Sequence, residues 1–166
     1  MTVLERPLPA IRYAVSFDPV DLYLPPAQAA RVALVAAGSF SHAAGLGAEL
    51  EVMAYPEGGR NDFVHQLPVR HTWERIVLKT GVVRGPGVWS WYEAGLSQSL
   101  GARRDGTIIL LTPSGLPAVA WAFRAGLAAK WVGPELDAQT DTAAIEQLEI
   151  AHEGLTRVLL SPPGAG

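Results

Sequence analysis

Two histidines, His65 and His71, and three carboxylates, Glu146, Glu149 and Glu153, are the side chains whose spacing most invites a chemical reading. A histidine pair could begin a metal site. His65 and His71, however, stand six residues apart with no further histidine or matched carboxylate at ligand spacing. The three glutamates, with His152 in the same segment, could form an acid–base group, but carboxylates interleaved with apolar residues are more commonly a solvated or interface face. The absence of cysteine rules out a thiolate nucleophile, a thiolate metal site and a disulfide. Neither a Gly-x-Ser-x-Gly elbow nor a glycine-rich phosphate loop occurs. Residue types therefore lend no support to an enzyme, and no catalytic, metal-binding or cofactor-binding residue is assigned.

Five tryptophans could act as stacking platforms for single-stranded nucleic acid, but such platforms need a positive groove beside them. Thirteen Lys and Arg against sixteen Asp and Glu leave a net charge of -3, which argues against specific nucleic-acid recognition and against a polybasic membrane patch. Core and interface packing is the better use for these rings, as in a protein that buries surface against copies of itself. The uncharged run from Val32 to Ala48 is too short and too polar to span a bilayer, so no membrane insertion of the monomer is expected. Met1 to Ala10 holds Glu5 and two prolines rather than the basic and apolar stretches of a Sec signal. The length suits a single domain over 1–166, and the lack of cysteine fits assembly in a reducing cytoplasm.

These residues need elements to hold them, and the periodicity predicts mostly strands. Tyr13–Phe17 alternates and stops at Asp18-Pro19. The stretch 21–38 fits either a helix opened by Pro25-Pro26 or a strand over Arg31–Val35. Glu49–Tyr55 places Leu50, Val52 and Ala54 on one face, as in a half-buried strand, and Pro56–Asn61 supplies turn residues after it. Arg75–Thr80 alternates again. Between Val88 and Leu100 lies the best helix candidate, with Trp91, Tyr92 and Leu96 as a stripe against the sheet. Thr107–Leu111 reads as a central strand, followed by a turn at Pro113-Ser114-Gly115. Val119, Trp121 and Phe123 alternate with Ala118, Ala120 and Ala122, so Trp121, Phe123 and Ile109 are expected in the core. Thr142–Leu155 has both a helical and a strand period. At least six strands and one short helix make the fold mainly β, a sandwich or barrel.

Several blocks resemble the tail tube protein family of contractile phage tails and extracellular contractile injection systems. They are Gly45-Leu46, Glu49, Glu51-Val52 and Tyr55-Pro56-Glu57-Gly58-Gly59, then Asn61, Phe63 and Leu67-Pro68. Further along come Trp73, Ile76, Leu78-Lys79-Thr80-Gly81, Trp89-Ser90-Trp91 and Arg103-Arg104-Asp105-Gly106. Trp121-Ala122-Phe123-Arg124, 130–136 and 144–155 close the series, so the likeness runs from about Tyr13 to Leu155. Between Phe17 and Phe40 the chain departs from the family pattern, with a longer Ala- and Pro-containing segment where a short hairpin turn is expected.

The resemblance implies two packed antiparallel β-sheets with one short flanking helix, joined into six-membered rings around a channel inside a contractile sheath. On that reading 144–155 is a strand, because sheet pairing can override local propensity. The implied partners are further copies of the chain, a sheath protein, baseplate or hub proteins, and a cargo effector or DNA in the lumen. Assembly is expected in the cytoplasm, in an injection particle or virion tail that can leave the cell. The suspected assembly interface comprises Tyr55, Gly58, Gly59, Asn61 and Phe63 in the strand and loop, with Leu148, Glu149, His152 and Glu153 in the closing block. Alternatives are a tube-initiator or adaptor ring at the baseplate and, from another class, a small β-barrel ligand-binding module.

Overall fold

The structure, a computed structural model, describes residues 13–17, 40–59, 62–82, 88–98, 102–139 and 143–159. Its strands are β1 (Tyr13–Phe17), β2 (Phe40–Ala44), β3 (Ala48–Tyr55), β4 (His65–Trp73), β5 (Ile76–Gly81), β6 (Arg104–Leu111), β7 (Pro117–Val132), β8 (Ile145–Ala151) and β9 (Gly154–Leu159). Among the described residues one helix, α1 (Trp89–Gln98), lies between β5 and β6. The stretch 21–38, with its two readings, falls outside the described residues.

A seven-stranded antiparallel sheet runs β1-β6-β7-β8-β5-β2, with β9 also on β7. Its organiser is β7, a 16-residue strand that pairs with β6 and β9 through its first half and with β8 through its second. The strand bends at Ala125, whose φ of 51° is left-handed. Asp105 Oδ1 accepts the Ala125 N–H at 2.8 Å, and the Glu153 N–H donates to the Arg124 carbonyl at 3.0 Å. Opposite this bend the partner strand breaks at His152-Glu153, so β8 and β9 are one long strand with a corner in it. A ribbon folded at matched irregularities can serve two layers. The first layer is β1, β6, the front of β7 and β9; the second is the back of β7, β8, β5 and β2.

Val15, Phe17, Ile108 and Phe123 from the first layer meet Ile76, Leu78, Leu148 and Ile150 from the second in one buried cluster. Helix α1 adds Trp91 and Ala94, and Val88 just before it joins them. Trp91 is fully enclosed, donates Nε1–H to the Ala102 carbonyl at 2.7 Å, packs edge-on to Phe17 at 4.9 Å and lies under the Arg104 guanidinium. A donor satisfied at one edge lets a large ring be buried at little polar cost.

Several expectations need correction. Leu96 is 69% exposed. Five residues past Trp91 it has turned about 140° around the helix, so Ala94 takes the inner position instead. Ile109 points away from the core because Ile108 points into it; a continuous apolar run does not reveal which parity faces inward. Phe123 is buried as expected, whereas Trp121 is only half-buried. β3 is a strand but not a half-buried one: all eight of its residues are exposed. β4, which the pattern did not predict, carries Pro68 beside a register shift, where a missing N–H is tolerated. The closing block is β-structure, and its helical period is incidental.

Candidate assembly surface

β3 and β4 form a separate two-stranded sheet, an arm that prolongs the β2–β5 pair beyond the edge of the body. Its root is closely built. Gly45 has φ +77°, and a Cβ there would collide with the Arg75 carbonyl, so the two connecting strands approach as only glycine allows. The Glu74 N–H donates to the Gly47 carbonyl at 3.1 Å. His152 sets Nε2 3.1 Å from the Glu74 carbonyl and Nδ1 3.1 Å from that of Gly154, with its ring against Trp73 and Phe123. The corner of the body is thereby fastened to the arm.

Beyond the root the arm is unusually apolar for its exposure. Leu50, Val52, Met53, Tyr55, Phe63, Val64, Leu67 and Val69 are all 42% to 56% exposed. One face, through Ala48, Leu50, Val52 and Ala54 with Gln66, Pro68, His71 and Trp73, has no formal charge; the other carries Glu49, Glu51 and Arg70 near the root and Met53, Tyr55 and Leu67 towards the tip. At the tip Gly59 takes φ +93° and Glu57 pairs with His65 at 3.5 Å. A lone hairpin is marginal in water, and a cluster of apolar side chains on both faces marks a surface made to be covered.

The structure gathers Tyr55, Gly58, Gly59 and Phe63 at this tip; Asn61 lies outside the described residues. Leu148 is fully buried in the core and cannot touch a neighbour. Glu149 sits on the outer face of β8, where Lys130 Nζ at 3.1 Å and Arg75 Nη1 at 3.4 Å hold its carboxyl below the ordinary glutamate range, the Lys130 hydrogen bond contributing most. His152 and Glu153 occupy the corner, Glu153 paired with Arg103 at 2.8 Å. Glu146, by contrast, turns inward and accepts the Trp131 Nε1–H at 2.9 Å. The carboxylates of the closing block thus point to different places and form no acid–base group. Residues the sequence reading missed are Leu50, Val52, Met53, Leu67 and Val69; their signal was a strand with large apolar residues in both parities. Among the described residues, no group of three or more His, Cys, Asp or Glu is placed to hold a metal, and no helix is long and apolar enough to cross a membrane.

Residues 9–156 match the family model described as T4-like virus tail tube protein gp19. The chain belongs to this tail tube family. The matched span brackets the resemblance read from Tyr13 to Leu155. Tail tube architecture also appears in solved structures similar to this chain. One comes from the PVC sheath-tube complex of an extracellular contractile injection system in its extended state: 18% identity, TM-score 0.75, covering 95% of each chain. A second comes from the baseplate of the anti-feeding prophage, six-fold symmetrised: 20% identity, TM-score 0.70, covering 93% of this chain and 97% of that one. The tube-terminating cap of the same particle gives 18% identity and a TM-score of 0.76, covering 96% and 100%. At such identities the likeness establishes the fold. No curated protein matches the chain in sequence.

Proposed function

We propose that this chain is a structural subunit of the inner tube of a contractile injection system or phage tail, assembling into stacked six-membered rings around a channel that conducts cargo. The observation that carries the reading is the arm, which leaves apolar side chains on both faces in water unless another copy covers them. A ring needs unlike surfaces that meet head to tail, and stacking needs an unlike top and bottom. The largely apolar arm and the charged outer face around Glu149, Lys130 and Arg75 supply such unlike patches. Tyr55, Gly58, Gly59, Asn61 and Phe63 are assigned to contacts with a neighbouring copy, and Glu149, His152 and Glu153 to the region around the arm's root. Further partners are a sheath protein, baseplate or hub proteins, and an effector or DNA held without sequence recognition. The particle is built in the cytoplasm and then released. A net -3 per chain makes any ring of copies acidic overall, which discourages retention of an anionic cargo.

A tube-initiator or adaptor ring at the baseplate is supported by the similarity to a baseplate component. The ligand-binding alternative finds an open cleft of about 330 Å³ beside β2, lined by Tyr13, Leu46, Ile108, Leu110 and Trp121 among others. Trp121 is the one tryptophan in that lining, however, so the cleft does not explain the other four. Negative-stain microscopy and sedimentation velocity of the purified chain test the proposal. Rings or tubes are expected, and a chain that stays monomeric at high concentration contradicts it.

A further inference from the structure

The second layer has an outer face whose charge is opposite to that of the protein as a whole. Register places Val77, Lys79, Gln147, Glu149, Lys130 and Val132 side by side on it, and Arg75 reaches over its edge to Glu149. Arg75, Lys79 and Lys130 against Glu149 make three cations to one carboxylate, a net of +2. Arg75 and Lys130 keep 56% of their side chains exposed while holding Glu149, which is only 16% exposed. The cations thus retain hydrogen-bonding capacity toward solvent. Val132 and Ile145, at 41% and 46% exposure, add apolar area at the rim.

Residues 48–73, which hold the arm, have the reciprocal balance. Glu49, Glu51, Glu57 and Asp62 against Arg60 and Arg70 make four carboxylates to two arginines, a net of -2. Glu49 and Glu51 share an arm face with Arg70, Met53, Tyr55 and Leu67, so that face carries two carboxylates to one arginine, a net of -1, beside exposed apolar groups. Eight residues of strand extend about 27 Å, enough to cross the three strands β5, β8 and β7, which are together about 10 Å wide. The arm of one chain is fastened at the edge of this same layer by Gly45, Gly47, Glu74 and His152, which directs it outward.

We infer that the basic outer face of β5, β8 and β7 receives the Glu49 and Glu51 face of the arm from a second copy of this chain. The inference rests on the assembly reading above and names the surface that the arm covers. Such a contact is head to tail: each copy gives an arm and takes one, the relation that builds rings or filaments rather than closed pairs. Charge pairs set the register and speed the encounter, while Met53, Tyr55 and Leu67 against Val77 and Val132 supply most of the affinity.

Charge reversal tests it on the full chain. Lys79→Glu with Lys130→Glu makes the face acidic, and Glu49→Lys with Glu51→Lys makes the arm basic. At low salt, about 50 mM, each pair alone should raise the concentration needed for assembly on the order of tenfold. The chain carrying all four changes should return towards the wild-type value. Because Lys130 also holds Glu149, Lys79→Glu with Glu49→Lys serves as a second set that leaves that ion pair intact. Assembly indifferent to reversal overturns the inference. So does loss without recovery in both combined chains, since another acidic surface would then be the occupant. A wild-type chain that never assembles overturns the assembly reading itself, and this inference with it.

Discussion

The Nε2 atom of His152 lies 3.1 Å from the carbonyl oxygen of Glu74, joining residues 78 apart in sequence. His152 occupies the break between β8 and β9, and Glu74 occupies the break between β4 and β5. Each residue sits where a strand is interrupted, so the side chain bridges two irregularities that would otherwise move independently. His152→Ala removes the ring, whose single N–H donates to one of the Glu74 and Gly154 carbonyls at a time, together with its contacts with Trp73 and Phe123. One net hydrogen bond is worth about 1 kcal/mol, so Tm should fall by about 2–4 °C or somewhat more. Amide exchange should quicken through 48–73 well before the core. Unchanged exchange in the arm would mean that the root is held by Gly45 and Gly47 alone.

Gly45 and Gly58 should respond very differently to a methyl group. At Gly45 the backbone is left-handed and a Cβ would collide with the Arg75 carbonyl, a backbone atom that cannot swing aside. Gly58 has open space around it, and of the two tip glycines Gly59 is the one with positive φ. Gly45→Ala is therefore expected to cost about 1–3 kcal/mol, whereas Gly58→Ala should be close to neutral by thermal unfolding. Equal effects would show that the arm's root is not built as described.

Much of the body was legible in the sequence because its layers have one wet and one dry face. Tyr13–Phe17, Arg75–Thr80 and Val119–Phe123 each alternate with period two and each falls in a strand, whereas the 144–155 block also carried a helical period and is β8 with the start of β9. The arm was legible only in part. β3 sets Leu50, Val52 and Ala54 on one face but Met53 and Tyr55 on the other, and an apolar face is buried only if the chain itself supplies the cover, which here it does not. β4 shows no alternation to read, since Pro68, Arg70 and His71 interrupt it at the register shift. For the closing block the sequence could not separate fold from interface: Leu148 and Glu149 are neighbours, yet one is sealed in the core and the other lies on the outer face. Adjacent strand residues point to opposite sides, so no property of the segment as a whole could decide between them.

Phe123 and Trp121 should separate in the same way. Phe123 is 1% exposed and packs against Phe17, so Phe123→Ala should cost about 3–5 kcal/mol. Trp121 faces the same side but lines the open cleft, and its truncation should cost less. Ile109→Ala, on the outer face beside Ala120, should cost least of the three by urea unfolding. A reversed order would place the inner face of β6 and β7 on the other side.

Leu148→Asp should unfold the chain rather than merely prevent rings. The side chain is fully enclosed opposite Leu78 and Trp131, and an unpaired carboxylate there must either stay charged in an apolar core or take up a proton. Circular dichroism should show loss of the cooperative transition at neutral pH. A folded monomer that fails to assemble would instead put Leu148 at a subunit boundary.

Glu149→Gln tests the one clearly perturbed carboxylate among the described residues. Lys130 first, through its hydrogen bond, and Arg75 second hold the folded-state value below the ordinary one near 4.5. A group depressed in the folded state binds its proton less readily there than in the unfolded chain. Its stabilising contribution is therefore present above the unfolded value and lost as pH falls through the folded one. Wild-type stability should decline across and below that range, and Glu149→Gln should decline less steeply, because an amide has no proton to take up. At neutral pH the variant should be slightly weaker, since partly exposed ion pairs contribute up to about 1 kcal/mol, and added salt should narrow that gap. Urea midpoints of the two proteins between about pH 3 and 7 provide the measurement, and parallel curves throughout would show that the Lys130 and Arg75 contacts do not persist in solution.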